Sequence, residues 1–350
     1  MQVKHGDTLA LVDTLAIAGD GGRIGPAARE ALAPLAELVL RPDTVKVFHA
    51  ASQDLEILWL LCGAVPAPVF DTQLAAPLLG HAEQIGYANL VREALGVELD
   101  KSQTRADWTR RPLPERQVAY ALDDVVHLET LYLSMRDRLA AAGRLDWLGP
   151  EFRDLERVER YDQPAAGRWR RVRQVTRHKG AALSVIQALA EWRELAAREA
   201  DVPRNWLMKD ETITTIAQQR PTSAAELAHV RGLDRRTREA HGEALVALVA
   251  EAAGREPVPH APFRKKPKAT SATLARARLL DAWVHHRAAE LDIAPGTLVP
   301  PERLERIALG EGREALAGWR DGLVGEALAA IADGRASVLA TARGLELREP

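Results

Sequence analysis

The stretch from Arg116 to Tyr132, RQVAYALDDVVHLETLY, carries a phenol and a carboxylate four residues apart. Apolar residues recur there at helical spacing, which predicts an amphipathic helix, at Val118, Ala121, Leu122, Val125, Val126 and Leu128. Tyr120 and Asp124 then project from the same side of that helix. Asp123 lies about 100° around the helix and is expected to point elsewhere. Carboxylates suit hard cations such as Mg²⁺, but an arbitrary pair of this kind is more often a core-edge ring and a solvated acid.

A second acidic position follows a short apolar strand in VFHAASQDLEILW. Asp54 falls in the first turn of the predicted helix, where it could simply complement the helix dipole with Ser52 as N-cap. The carboxyl end of a strand is also the edge of an α/β sheet at which ligands bind. Asp54 is therefore a candidate site residue.

Three stretches resemble a known family, namely HAASQDLE, FDTQLAA and LDKSQTRADWTRRPLPERQVAYALDD. Their order and spacing are similar to the exonuclease domain of ribonuclease D, in the DEDD class with a tyrosine in the last motif. The resemblance implies a ribonuclease H-like α/β domain with a mixed sheet. It also implies a 3′–5′ exoribonuclease that uses two divalent ions, Mg²⁺ or Mn²⁺, to trim the 3′ ends of structured RNA such as tRNA precursors.

The resemblance assigns roles to individual residues of this sequence. Asp124 is expected to bind metal, Tyr120 to orient the attacking water, and Asp54 to support the second metal directly or through water. His49 and Lys101 are candidates for contacts with the RNA strand, although either could have an ordinary structural role. The catalytic set predicted from the sequence is thus Tyr120, Asp124 and Asp54.

The family's first motif, Asp-x-Glu on the opening strand, is absent ahead of HAASQDLE. We expect the chain to begin after that motif, with a start site assigned too far downstream favoured over truncation or real loss. Two carboxylates leave much of the charge of two dications uncompensated, so the 350-residue chain is expected to bind metal poorly and to be impaired. The alternative is a nuclease-inactive RNA-binding protein.

The chain divides into an α/β part and a helical part. Strand patterns occur at MQVKH and TLALVDTLAI (a hairpin around Gly6-Asp7), at VKVFHA and at APVFDTQ, with helices near 27–38 and 52–62. Strand patterns disappear after Asp162. Two Ala- and Leu-rich blocks, 181–252 and 273–344, look like copies. The stretch LAEWRELAAREADVPRNWLMKDETITTIA matches LDAWVHHRAAELDIAPGTLVPPERLERIA without a gap, at an offset of 91 residues that relates Trp192 to Trp283. Both tryptophans are predicted to be core residues.

The predicted organisation has five segments. The first block resembles the HRDC module of the same family, and the repeat predicts two all-α HRDC-like bundles. The predicted bounds are an exonuclease domain at 1–150, a basic connector at 151–180, an HRDC module at 181–254, a linker at 255–272 and a second HRDC-like module at 273–345.

Basic segments are candidates for RNA contacts because Lys and Arg neutralise phosphates. The stretch RWRRVRQVTRHK supplies Arg168, Arg170 and Arg171, and an equally weighted alternative is a strap whose Trp169 packs on the α/β domain. Arg231 precedes a glycine in a predicted turn between helices, which suits phosphate binding.

Bulk composition excludes several classes of protein. The formal charge is −2, so overall charge does not indicate a nucleic-acid partner. Cys62 is the only cysteine in the sequence, which excludes an intrachain disulfide. No apolar run reaches the roughly 18 residues of a membrane span, and no signal peptide is recognisable. We expect a cytoplasmic monomer that acts on RNA 3′ ends.

Overall fold

The computed structural model describes residues 1–18, 25–100, 102–103, 106–162, 164–259, 270–316 and 318–348. These residues form two compact units. The first unit comprises Met1–Val158 together with Lys266–Pro350, and the second comprises Glu159–Lys265.

The first part of the first unit mixes strands with helices. Its strands are β1 (Gln2–His5), β2 (Thr8–Leu11), β3 (Lys46–Phe48) and β4 (Val69–Asp71). Its α-helices are α1 (Thr14–Ala18), α2 (Pro26–Ala31), α3 (Ala33–Val39), α4 (Ser52–Cys62), α5 (Thr72–Ala75), α6 (Tyr87–Leu95), α7 (Glu115–Val126), α8 (Leu128–Ala141) and α9 (Gly149–Leu155). Short 3-10 turns cover Ala76–Leu79 and Leu145–Leu148.

The predicted hairpin and both later strands are present. The chain turns at Gly6, and β1 pairs antiparallel with β2 from Gln2 opposite Leu11 to His5 opposite Thr8. The second strand ends at Leu11, earlier than predicted, because the chain enters α1 three residues later. The predicted helix near 27–38 is two helices, α2 and α3.

The predicted mixed sheet is not observed among the described residues. The hairpin of β1 and β2 is one sheet, and β3 pairs only with β4, in parallel, with Phe48 opposite Asp71. Strands β1 and β2 pair only with each other, and no described strand joins their sheet to that of β3 and β4. Helix α7 packs on the hairpin, and an ion pair joins Lys4 to Glu129.

The predicted helix at 116–132 is interrupted. His127 ends α7 and begins α8, so Tyr120 and Asp124 lie on α7 while the following apolar residues belong to a separate helix. Leu131, Met135 and Leu139 of α8 are fully buried. Helix α7 therefore carries the candidate site, and α8 contributes buried side chains to the core.

The second unit is helical. Its α-helices are α10 (Gly180–Ala200), α11 (Arg204–Leu207), α12 (Asp210–Gln219), α13 (Ala224–Ala228) and α14 (Arg235–Ala253), preceded by 3-10 turns at Val158–Arg160, Ala165–Arg171 and Val175–Arg177. The apolar faces of α10, α12 and α14 enclose one core, with Ile186, Leu189, Ile213 and Leu245 fully buried.

Residues 270–348 complete the first unit. They form α15 (Ser271–Leu291), α16 (Pro295–Leu298), α17 (Pro301–Arg306) and α18 (Glu326–Ala332), with wider or tighter helical turns at Ile307–Glu311, Gly312–Ala315 and Asp321–Gly325. A hairpin of β5 (Ser337–Thr341) and β6 (Gly344–Arg348) follows. The prediction of an all-α second module was therefore wrong at its end, where the chain forms this hairpin and Gly344 begins β6 at φ +130°, a conformation that favours glycine.

The internal repeat is visible in the helix boundaries. Helices α10 and α15 end 91 residues apart, and the next residues, Asp201 and Asp292, are both left-handed. Helices α11 and α16 begin and end at the same offset, and α12 and α17 begin at it. Trp283 is buried and Trp192 packs against the second unit's core, as both were predicted to do.

The two copies differ in what they pack against. Leu280, Val284 and Leu298 of the later copy share one apolar cluster with Leu131 and Met135 of α8. The indoles of Trp147 and Trp319 stack at 4.5 Å within the same unit. The later copy is thus part of the α/β unit's core, an arrangement that the linker between the copies did not suggest.

No helix in the described parts of the chain is both long and apolar enough to cross a membrane.

Candidate active site

A cleft lies between the start of α6 and the middle of α7. Its wall is formed by Gly86, Tyr87, Ala88, Asn89, Leu99, Asp100, Tyr120, Asp123 and Asp124. Helix α6 begins after an extended Gly86, and α7 begins after Pro114, which presets an extended entry. The structure thus brings Tyr120 and Asp124 to one cleft, as their spacing predicted.

Asp123 lines the same cleft, which corrects the expectation that it points elsewhere. Partial burial raises the pKa of Asp124, and the neighbouring Asp123 carboxylate raises it further. Burial also raises the pKa of the Tyr87 phenol, with the two carboxylates adding to the rise. The cleft therefore concentrates negative charge in a partly desolvated place, where a cation is favourable.

Asp100 is a cleft residue that sequence reasoning missed. Its carboxylate accepts hydrogen bonds from the backbone N–H and the hydroxyl of Ser102, at 2.8 and 2.7 Å. The Asp-x-Ser pattern signals such a turn, but the pattern says nothing about which side chains face it. Tertiary placement beside α7 makes Asp100 part of the site.

Asp54 lies in the first turn of α4, as predicted, and is not among the residues that line this cleft. Partial burial raises its pKa, and the Asp71 carboxylate contributes. Ser52 is not the N-cap, since α4 begins after Ala51 without a side-chain cap. Asp54 therefore does not form part of the cleft wall that contains Tyr120 and Asp124.

Asp71 is a second residue that sequence reasoning missed. It ends β4, is buried, and accepts hydrogen bonds from the backbone N–H groups of Ala50, Ala51 and Gln73 at 2.8–3.0 Å. Asp71 thereby ties the end of β3 to the starts of α4 and α5. An aspartate that ends an apolar strand, as in VFDT, was the available signal.

His49 is held inside the domain by both ring nitrogens. Nδ1 lies 2.9 Å from the Thr72 hydroxyl and Nε2 lies 2.9 Å from the carbonyl oxygen of Ile85. Burial lowers the pKa of His49, against the attraction of Asp71. A contact between this imidazole and RNA requires the exchange of one of these partners.

The loop before α7 is anchored to the end of the hairpin. The Arg111 guanidinium donates to both carboxylate oxygens of Asp13, at 2.6 and 2.8 Å, and these bonds hold the pKa of Asp13 at about 2. Trp108 of the same loop lies 5.9 Å from the Tyr120 ring, between ring centroids. The ion pair therefore fixes the loop that carries an aromatic neighbour of Tyr120.

The predicted RNA-binding residues have different surroundings. Arg170, Arg171 and Arg231 are exposed, while Arg168 is largely buried 3.3 Å from the Glu194 carboxylate. Trp169 is 2 % exposed inside the second unit's own core, which corrects the expectation that it packs on the α/β domain. Lys101 lies outside the described residues.

The cleft fits a hard cation in donor chemistry. Its acidic members, Asp100, Asp123 and Asp124, offer the oxygen ligands that Mg²⁺ and Mn²⁺ prefer. Their mutual repulsion is the kind that a bound cation relieves. In the described part of the chain no three His, Cys, Asp or Glu side chains converge closely enough to hold a metal by themselves. Phosphate and water oxygens would complete the coordination.

The fold and the acidic cleft define an exonuclease followed by an HRDC domain. The family described as 3'-5' exonuclease matches residues 1–140, and the HRDC domain matches residues 182–249. Ribonuclease D of Granulibacter bethesdensis is 36% identical over 95% of this chain and 82% of its own, and that of Gluconacetobacter diazotrophicus is 37% identical over 96% and 83%.

Solved structures agree with the sequence comparison. The crystal structure of Escherichia coli RNase D aligns with a TM-score of 0.74 and 28% identity, over 95% of this chain and 88% of that one. The catalytic core of RRP6 from Trypanosoma brucei aligns with a TM-score of 0.50 and 27% identity, over 65% and 64%. The chain belongs to the ribonuclease D family and is a 3′–5′ exoribonuclease, which confirms the family and the activity predicted from the sequence.

Proposed function

We propose that this protein trims the 3′ ends of structured RNAs such as tRNA precursors, with Mg²⁺ or Mn²⁺ bound at the cleft of α7. The observation that carries the proposal is the convergence of Tyr120 with the Asp123 and Asp124 carboxylates in one partly desolvated cleft. The Escherichia coli structure is described as an exoribonuclease involved in structured RNA processing, which supports this class of substrate.

The roles of the side chains follow from their chemistry. Divalent ions, when bound, neutralise charge on the phosphodiester and favour deprotonation of water. Asp124 is the proposed ligand, with Asp123 and Asp100 adding negative potential, and Asp54 is proposed to support a second ion. The Tyr120 hydroxyl orients the attacking water.

The helical modules are proposed to hold the RNA. The first three helices within residues 271–306 begin at the 91-residue offset from those of the HRDC module at 181–254, so we propose a second HRDC-like module at 273–345. The remaining bounds, 1–150, 151–180 and 255–272, stay predictions. Arg170, Arg171 and Arg231 are proposed phosphate contacts because they are exposed, and Arg168 is proposed to act through its pair with Glu194. A cytoplasmic monomer remains a sequence prediction.

The proposal is tested with an RNA hairpin that carries a short single-stranded 3′ tail, labelled at its 3′ end. Addition of Mn²⁺ or Mg²⁺ to the protein is expected to release labelled mononucleotides, and chelation with EDTA is expected to stop the release. The impaired activity predicted from the missing Asp-x-Glu motif is measured in the same assay. Tight RNA binding without any metal-dependent release would favour the alternative of a nuclease-inactive RNA-binding protein. The similar proteins do not support this alternative better than they support an exoribonuclease.

Tyr120→Phe is expected to lower kcat about a hundredfold while KM changes little, because only the hydroxyl that positions water is lost. Tyr87→Phe is the matched control, since the Tyr87 ring lines the same cleft and its hydroxyl is buried away from solvent. Steady-state kinetics give kcat and KM, and single-turnover rates with enzyme in saturating excess over RNA isolate the chemical step. Equal losses in both variants would show that the ring environment, and not the Tyr120 hydroxyl, matters.

Arg111→Ala is expected to lower kcat about tenfold, because loss of the Asp13 ion pair loosens the loop that packs Trp108 against Tyr120. Arg110→Ala, at the exposed neighbouring position, is the control and should be nearly neutral. Separate determination of kcat and KM distinguishes positioning from RNA binding. A rise in KM with unchanged kcat would instead assign Arg111 to the substrate.

A further inference from the structure

The short segments that follow α10 and α15 are equivalent in the two repeats, but one is exposed and the other is packed against neighbouring residues. In the later copy this segment, residues 292–297, contacts the α/β part of the first unit. The backbone N–H of Ala294 donates to the carbonyl of Pro77 at 2.8 Å, and the ideal Cβ position of Gly296 lies within 3 Å of the Glu83 carboxylate. In this copy, therefore, the segment is a docking surface.

The corresponding segment of the first copy, residues 201–206, carries an exposed tryptophan. Trp206 is 72 % exposed, more than any other large apolar side chain in the described part of the chain. Its counterpart 91 residues later is Thr297, whose hydroxyl lies 3.5 Å from Glu83. A large aromatic ring thus stands in solvent at the position by which the other copy docks.

Arginine side chains cluster around Glu194 near α11, the helix that carries Trp206. The Glu194 carboxylate lies 3.3, 3.2 and 3.6 Å from the guanidinium groups of Arg168, Arg198 and Arg204, so three cations meet one anion. Burial lowers the pKa of Arg168, and Arg171, Arg204 and Arg198 also lower it, against the attraction of Glu194. The residues that replace Arg198 and Arg204 in the later copy are Ala289 and Pro295. The positive cluster is therefore specific to the first copy.

We propose that Trp206, with Arg204 and Arg198, forms a binding site for single-stranded RNA on the HRDC module, where a base stacks on the indole and the guanidinium groups contact adjacent phosphates. The inference rests on the RNA substrate proposed above and adds a binding site formed by residues of the second unit. Trp206 lies two residues after Arg204 on α11. An exposed aromatic ring together with guanidinium groups is the combination that binds single strands without sequence preference. Glu199 and Asp201 also border the segment, so stacking contributes more to affinity than net charge.

The test compares binding of a fluorescein-labelled, single-stranded ten-nucleotide RNA to the full chain and its variants, with EDTA present to prevent cleavage. Trp206→Ala is expected to weaken binding about tenfold, and Trp206→Phe to restore it to within about threefold, because a benzene ring still stacks. Arg204→Ala is expected to weaken binding and to flatten its salt dependence. Leu274→Ala, another exposed apolar position at 53 %, is the control and should be neutral.

Two outcomes overturn the inference. One is Trp206→Ala binding within twofold of the parent protein, and the other is a change of oligomeric state in Trp206→Ala on analytical ultracentrifugation, which would assign the ring to a second copy of the chain. Metal-dependent cleavage of a dinucleotide, which has no nucleotides beyond those at the scissile bond, is expected to be unaffected by Trp206→Ala. If the parent protein neither binds nor trims RNA, the proposed function fails as well, which is distinct from loss of this site alone.

Discussion

Asp124→Asn is expected to abolish turnover, with a fall in kcat on the order of a thousandfold, and to leave RNA affinity within about threefold. Asparagine keeps the size of the side chain and removes its charge, so the cleft loses a ligand for hard cations. Metal ions contribute several kcal/mol to transition-state stabilisation, and each 1.36 kcal/mol is a factor of ten in rate. Most of the affinity for RNA comes from phosphate contacts elsewhere.

Asp123→Asn is the matched control for this prediction. Asp123 lines the same cleft and raises the pKa of Asp124, but it lies about 100° away around α7. We expect a modest loss of activity from Asp123→Asn, together with a lower pKa of Asp124 because one repulsive charge is gone. Single-turnover rates measured as a function of pH report both the loss of activity and the lower pKa, and Mn²⁺ titration reports metal affinity. A large loss of RNA binding in Asp124→Asn, or equal losses in the two variants, would contradict the assigned role.

Leu280→Ala is expected to destabilise the exonuclease itself by about 3 kcal/mol, although Leu280 lies more than 120 residues after the end of the exonuclease match. Leu280 is fully buried in the cluster that also contains Leu131 and Met135 of α8. A cavity there weakens the packing that holds α8, and α8 follows directly on the helix that carries Tyr120 and Asp124. Residual RNase activity after heating measures the effect.

Leu189→Ala is the matched control, because Leu189 occupies the equivalent position 91 residues earlier and is equally buried, in the second unit's core. We expect a similar loss of stability there, seen as an earlier calorimetric transition of the HRDC module, without earlier loss of nuclease activity. Should both substitutions inactivate the nuclease at the same temperature, the two units would unfold together and the prediction would be wrong.

Much of the local structure follows from the sequence. Alternating apolar residues around Gly6-Asp7 specify the hairpin. The apolar strand that ends at Phe48 is followed by α4, and α4 ends at Gly63, which has φ +73°. The four-residue spacing of Tyr120 and Asp124 places them on one side of a helix whatever surrounds it. The 91-residue offset likewise predicted related helices, and α10, α11 and α12 begin 91 residues before α15, α16 and α17, because local periodicity decides where helices form.

Only the tertiary structure decided which surfaces meet. Asp71 accepts hydrogen bonds from Ala50 and Ala51, and Asp100 lines a cleft with Asp124. A local pattern such as VFDT marks Asp71 without assigning these partners. Trp169 enters its own module's core, and the later repeat joins the exonuclease core through Leu280 and Trp319 while Trp206 stays in solvent. Apolar burial is non-directional, so periodicity shows that a helical face must be covered without showing by what. The sequence therefore determined the spacing of the side chains that could do chemistry. The folded chain determined which surfaces pack against one another.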